Sequence, residues 1–107
     1  IHKSVGNGLV FADFIQHFQI DTLFLSLDGI DLTDGLSVVD VQDGHTKKVL
    51  VEKAKRVICM ADHSKFNKSF FYKIAPITDV DLVITDDGLD AATQELFRQN
   101  NIPLVLA

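Results

Sequence analysis

Apolar positions along this chain come in two arrangements, stripes at helical spacing and short continuous runs. Phe11, Phe14, Ile15 and Phe18 fall on one face at helical spacing and predict a helix over residues 8–18. The nearly unbroken run DTLFLS, residues 21–26, predicts a strand covered on both faces. DGIDLTDG, residues 28–35, is rich in Asp and Gly and predicts a loop. A second helix is expected over 41–55, with Asp40 as its N-cap and Val49, Leu50 and Ala54 on its apolar side. Gly44 weakens that helix in its first turns.

VICMA, residues 57–61, predicts the next strand, and the segment after it is irregular with a short strand near residues 70–73. DLVIT, residues 81–85, predicts a further strand, and Asp86-Asp87-Gly88 turns the chain. A third helix is expected over 90–100, capped by Leu89 or Asp90, with Leu96 and Phe97 facing inward. IPLVLA, residues 102–107, closes the chain as a strand, and Pro103 predicts an edge position or a late start to pairing. Strands and helices alternating over short connections predict an α/β fold. Its form is a single Rossmann-like parallel sheet with helices on both faces. Ligands of such sheets sit beyond the carboxyl ends of the strands. Three of those ends are polar here, residues 26–31, 62–65 and 85–88, and all three are expected on one edge.

Composition narrows the function. With 47% hydrophobic and 23% charged residues, the 107-residue chain has enough apolar content for a packed core. No apolar run approaches the roughly 18–20 residues of a membrane-spanning helix, and no signal peptide is legible. The only methionine is Met60, so the sequence is read as a piece of a longer protein. Cys59 is the only cysteine and lies within an apolar run. It is read as a core residue of a protein in a reducing, cytoplasmic compartment. A net charge of −5 without a basic block is unsuited to holding a phosphodiester backbone, so any contact with DNA belongs to another part of the protein.

The polar tips carry the candidate chemistry. In Asp62-His63-Ser64-Lys65, an amine, a hydroxyl and free amides after a strand suit a phosphate, and a solvated turn capped by Asp62 suits the same residues. Asp28 and Asp31, flanking Gly29 and followed by Gly35, suit either sugar hydroxyls, a shared proton or plain turn chemistry. Lys47 is either a ligand contact or an i, i+4 partner of Asp43. Asp86 either lines the site or turns the chain, and Asp87 is assigned to the turn. His2, His17, His45 and His63 are scattered, which argues against a metal site. Neither glycine-rich nucleotide signature is present, so no cofactor is expected.

Taken together, LFLSLDGIDLTDGLSVVD, a lysine pair in a helix, VICMADHSKF, VDLVITDDGLD and NNIPLVLA resemble the effector-sensing domain of DeoR-family bacterial transcriptional regulators. SVGNGLVFADFIQHF is similar to the helix that leads into that family's sensor strand. The resemblance implies that residues 1–107 are the C-terminal part of a sensor. The first half of that sensor and an operator-binding winged helix-turn-helix would lie upstream. It also implies a phosphorylated sugar effector, a homo-oligomer on paired half-sites and no membrane. Asp28, Gly29, Asp31, Gly35, Lys47, Asp62, Ser64 and Lys65 would bind the effector. The sensor fold is similar to ribose-5-phosphate isomerase, which offers an enzyme as the alternative. The isomerases place a carboxylate base where Lys47 stands, and a cationic lysine does not serve as an ionised carboxylate. The implied outcome is binding without turnover.

Overall fold

The computed structural model describes residues 17–107. The helix expected over 8–18 lies outside the described residues except for its last two positions. The elements in chain order are β1 (Ile20–Ser26), β2 (Gly29–Asp31), β3 (Gly35–Val38), α1 (Val41–Lys53), β4 (Ala54–Met60), β5 (Tyr72–Ala75), β6 (Leu82–Thr85), α2 (Ala91–Gln99) and β7 (Leu104–Leu106). Single 3-10 turns occupy His63–Lys65 and Ile77–Asp79. Four strands form the expected parallel sheet in the order β1-β4-β6-β7. β7 is at its edge and begins after Pro103, whose carbonyl still accepts from Val83 N–H at 2.9 Å.

Register sorts the side chains of this sheet onto two faces. Leu25, Cys59, Val83 and Leu104 share one row, and this face carries the core, closed by Val51 of α1 and Phe97 of α2. Phe97 meets Phe66 edge-on with ring centroids 5.4 Å apart. Phe24, Ile58 and Leu82 form a row on the opposite face, and Ser26, Met60, Ile84 and Val105 form the next. Among the described residues that face is open, with Phe24 62% and Met60 47% exposed. Cys59 lies at the centre of the covered face, and burial pushes its thiol up to about 12.

Two expectations need correction here. Residues 28–35 are not a loop: β2 and β3 form an antiparallel hairpin, and β3 pairs onward with β5 in a second, three-stranded sheet. The turn chemistry was read correctly but is confined to residues 32–34. There the Asp31 carboxylate takes the Thr33 and Asp34 N–H groups at 3.0 and 2.8 Å, and Gly35 adopts φ +81° to bring the chain back. The expected single layer therefore gains a second sheet. The strand looked for near residues 70–73 is β5, starting at Tyr72.

α1 has Asp40 at its N-cap as expected, with Oδ1 accepting from Gln42 and Asp43 N–H. It ends at Lys53, and Ala54 already belongs to β4. Its fully buried positions are Gly44 and Val51, whereas Val49 and Leu50 are half-buried. Gly44 is a packing requirement rather than a weakness: a Cβ there would lie 2.8 Å from Tyr72 Cγ and 2.9 Å from Val38 Cγ2. In α2, Phe97 is buried but Leu96 is exposed, because only one narrow stripe of this short helix meets the sheet.

Gly44→Ala should therefore lower stability by about 1–3 kcal/mol through overpacking, although alanine is intrinsically the better helix former by about 1 kcal/mol. Urea unfolding measures it. With Tyr72→Ala in the background, the same change should cost less, only the Val38 contact then remaining, and an undiminished cost would show that Tyr72 does not rest on α1.

Candidate functional site

Parallel pairing sets Ser26, Met60 and Thr85 at the ends of three adjacent strands, so the loops that follow them meet on one edge of the sheet. Each loop is built differently. After β1 the chain turns into the hairpin, fastened at its open end by Asp28. The Asp28 N–H donates to the Ser37 carbonyl at 3.1 Å, and its Oδ2 accepts from Val39 N–H at 2.9 Å. Asp31 lies at the hairpin's closed end. Three extended residue steps, roughly 10 Å, separate the two, so they do not share a proton. Gly29 lies where a Cβ would be 2.7 Å from the buried Ser37 hydroxyl and 2.5 Å from the Lys68 carbonyl. That close approach draws β2 against the segment following β4, where Asn67 N–H donates to the Ile30 carbonyl at 2.8 Å.

Lys47 reaches the same edge from α1. Gly44, Lys47 and Val51 stand at i, i+3 and i+7, so Lys47 shares the packed stripe and its side chain is only 18% exposed. Its ammonium donates to the Ser26 carbonyl at 2.7 Å and pairs with Asp43 at 3.0 Å. The i, i+4 pair is present, and the amine also closes over the end of β1.

Asp62 caps the 3-10 turn that follows β4. Its Oδ1 accepts from Ser64 N–H at 2.8 Å and from the Ser64 hydroxyl. These bonds, the hydroxyl's foremost, hold the Asp62 carboxyl below its ordinary value, with Lys65 adding charge of the right sign. Lys65 is half-buried, and among the described residues nothing hydrogen bonds to its ammonium. The edge thus sets two kinds of group side by side. Its carboxylates accept from backbone N–H groups, while the Lys65 cation has no fixed partner.

One pairing was not anticipated. His63 Nδ1 lies 2.9 and 3.2 Å from the two carboxylate oxygens of Asp86, joining the loop after β4 to the loop after β6. Gly88 N–H donates to Asp86 Oδ1 at 2.9 Å. Desolvation works upward on the Asp86 carboxyl, but the bonds from the His63 ring and from Gly88 and His63 N–H outweigh it and leave it below the ordinary value. The signal lay in the register: Met60 pairs with Ile84, and His63 and Asp86 follow these paired residues by three and two positions. Asp87 makes only the turn assigned to it. No group of three metal-ligating side chains occurs among the described residues. An open groove lined by Gln94, Arg98, Pro103 and Leu106 lies apart from these loops, between α2 and β7.

The family model for the DeoR C terminal sensor domain matches residues 2–87. The chain is 34% identical over 92 residues to a putative aga operon transcriptional repressor of Escherichia coli O157:H7, covering 86% of this chain and 34% of that protein. It is 31% identical over 99 residues to the glycerol-3-phosphate regulon repressor of Escherichia coli K12, covering 92% of this chain and 39% of that protein. The repressor GlcR of Bacillus subtilis is 30% identical over 99 residues, at 92% and 38% coverage. The chain thus spans between a third and two fifths of the length of these relatives.

Stability should depend on the acids of this edge in a set direction. Folded-state values below the ordinary 3.8 mean that Asp62 and Asp86 contribute stability fully present above that pH and lost as pH falls through the lower folded values. Urea midpoints measured from pH 6 down to about pH 2 should fall less steeply in Asp62→Asn and Asp86→Asn than in the wild type. Parallel curves would mean that these hydrogen bonds do not persist in solution.

Proposed function

The chain belongs to the DeoR C-terminal sensor domain family, and on that premise we propose that it is the effector-binding part of a transcriptional repressor, taking up a phosphorylated sugar at the carboxyl edge of its parallel sheet. The observation that carries this reading is the contrast at that edge. Lys65 offers an ammonium without a fixed partner, while Asp62, Asp28 and Asp31 accept from nearby N–H groups and do not neutralise it by direct contact. A phosphate supplies the acceptors that Lys65 lacks. The free oxygens of Asp28 and Asp31 are left to accept from sugar hydroxyls. Gly29 and Gly35 let the hairpin backbone come close, and Lys47 closes the end of β1. Ser64 donates to Asp62, so its role is to shape the turn and offer lone pairs rather than a proton. A relative named for a glycerol-3-phosphate regulon supports the ligand class.

The relatives are transcriptional regulators, and the chain's own chemistry agrees with binding without turnover. Lys47 stands where an isomerase would need a carboxylate base, and it is already engaged by Ser26 and Asp43. Among the described residues no helix is long and apolar enough to cross a membrane. In the full protein, which we infer to be a cytoplasmic homo-oligomer, a winged helix-turn-helix upstream would bind operator DNA. An effector that prefers one arrangement of the sensor shifts the population of the whole, by no more than its difference in affinity for the two.

A thermal-shift screen of the full-length repressor tests this. The panel is glycerol 3-phosphate, fructose 6-phosphate, glucosamine 6-phosphate, their unphosphorylated parents and inorganic phosphate. At about 100 times Kd a bound ester should stabilise the folded state by about 2.7 kcal/mol. The shift should vanish in Lys65→Ala, whose circular dichroism should match the wild type. An undiminished shift in that variant would move the phosphate away from this turn.

A further inference from the structure

The His63–Asp86 pair has a geometry that stability does not explain. The ring is 54% exposed, yet Asp86 and Gly88 hold it from two sides. Nδ1 faces both Asp86 oxygens, Gly88 N–H holds that carboxylate in turn, and Gly88 itself lies against the ring. A Cβ at Gly88 would stand 2.6 Å from Nδ1 and 2.9 Å from Cε1, so any larger residue would displace the imidazole. Exposed ion pairs contribute at most about 1 kcal/mol, and fixing a side chain at the surface loses rotamer freedom. What the arrangement does achieve is to fix the ring's tautomer. An ionised carboxylate only accepts, so Nδ1 faces it as a donor, and in the neutral form of the ring that leaves Nε2 with the lone pair.

Two residues away, Lys65 presents the opposite chemistry, a group that only donates. A ligand that satisfies both needs acceptor oxygens for the ammonium and an O–H for Nε2. The phosphate group of an ester, as its ROPO3 dianion, has the first and lacks the second. A phosphate ester of a polyol or sugar has both. We propose that His63 is a ligand-binding residue that accepts a hydrogen bond from a hydroxyl of the phosphorylated effector, with Asp86 as the positioning residue that sets its tautomer. This rests on the effector reading above and adds to it: the turn distinguishes a hydroxylated phosphate ester from a phosphate monoester with no free hydroxyl.

The test is isothermal titration of the full-length protein with the phosphate esters of the screen, glycerol 3-phosphate, fructose 6-phosphate and glucosamine 6-phosphate. Methyl phosphate, whose dianion carries no O–H, is measured in parallel by competition. His63→Ala should weaken the best ester by about tenfold, the scale of one lost hydrogen bond, and leave methyl phosphate unchanged. Asp86→Ala should act in the same direction, since it removes the acceptor that holds the ring proton at Nδ1. Nitrogen-15 NMR of the imidazole should show protonated Nδ1 in the wild type and loss of that preference in Asp86→Ala. Lys65→Ala should weaken the ester and methyl phosphate together. Ester affinity unchanged in His63→Ala overturns the proposal, and so does equal loss of the ester and methyl phosphate in that variant. A wild type that binds none of the esters overturns the effector reading itself and takes this inference with it.

Discussion

The three polar loops at the candidate site are brought together by strand β4, whose backbone is shared between β1 on one side and β6 on the other. The pairing is fastened at its entrance by Asp81, which donates its own N–H to the Val57 carbonyl at 2.9 Å and accepts the Val57 N–H on its carboxylate at 2.7 Å. Because all three strands run the same way, whatever follows them emerges at one edge. Neither the lysine of one loop, the histidine beside it nor the carboxylate of the next has to find the others. The register of a few backbone hydrogen bonds has already brought them together. Parallel strands cannot be joined by tight turns, so each crossover carries extra chain over the covered face. Here part of that chain has become a second small sheet, and its β2 edge lies against the turn that carries Lys65.

The electrostatics of the edge follow from how its turns are made. An acidic chain is a poor prospect for an anion, and several of its Asp residues are at this edge. Yet a carboxylate that accepts two backbone N–H groups, as Asp31 does, has already met partial positive charge in the turn it caps. Turn formation therefore occupies the acids first and leaves the half-buried Lys65 cation to act outward. The same economy appears in Lys47, which bridges Ser26 and Asp43 and so stiffens the junction of α1 with β1.

Sequence patterns revealed most of the frame and part of the site. The runs of β1, β4 and β6 were legible because strands buried in a parallel sheet are nearly continuous in apolar residues, and Asp40 and Asp90 announced their helices as caps. The hairpin was missed because DGIDLTDG is dominated by turn residues. Its strands are too short for period-two alternation to emerge, and its one large apolar strand position before the turn, Ile30, is fully buried. Leu96 was misplaced because a nine-residue helix gives the spacing rule little to work with. Lys47 and Lys65 were identifiable as candidates, but what distinguishes them, one clamped and one without a fixed partner, appears only in three dimensions. The His63–Asp86 pair was hidden for a simpler reason. Twenty-three residues separate its members, and only the strand order makes them neighbours.

Cys59 gives the molecule a built-in reporter. It is the chain's only thiol, fully buried between Leu25 and Val83, and it resists ionisation at neutral pH. Since the thiolate is the reactive form, alkylating reagents reach it only when the sheet opens around β4. The rate of labelling at that one sulfur thus follows cooperative opening of the core, with no dye or engineered residue. Anything that holds the strand ends together would register there as slower chemistry.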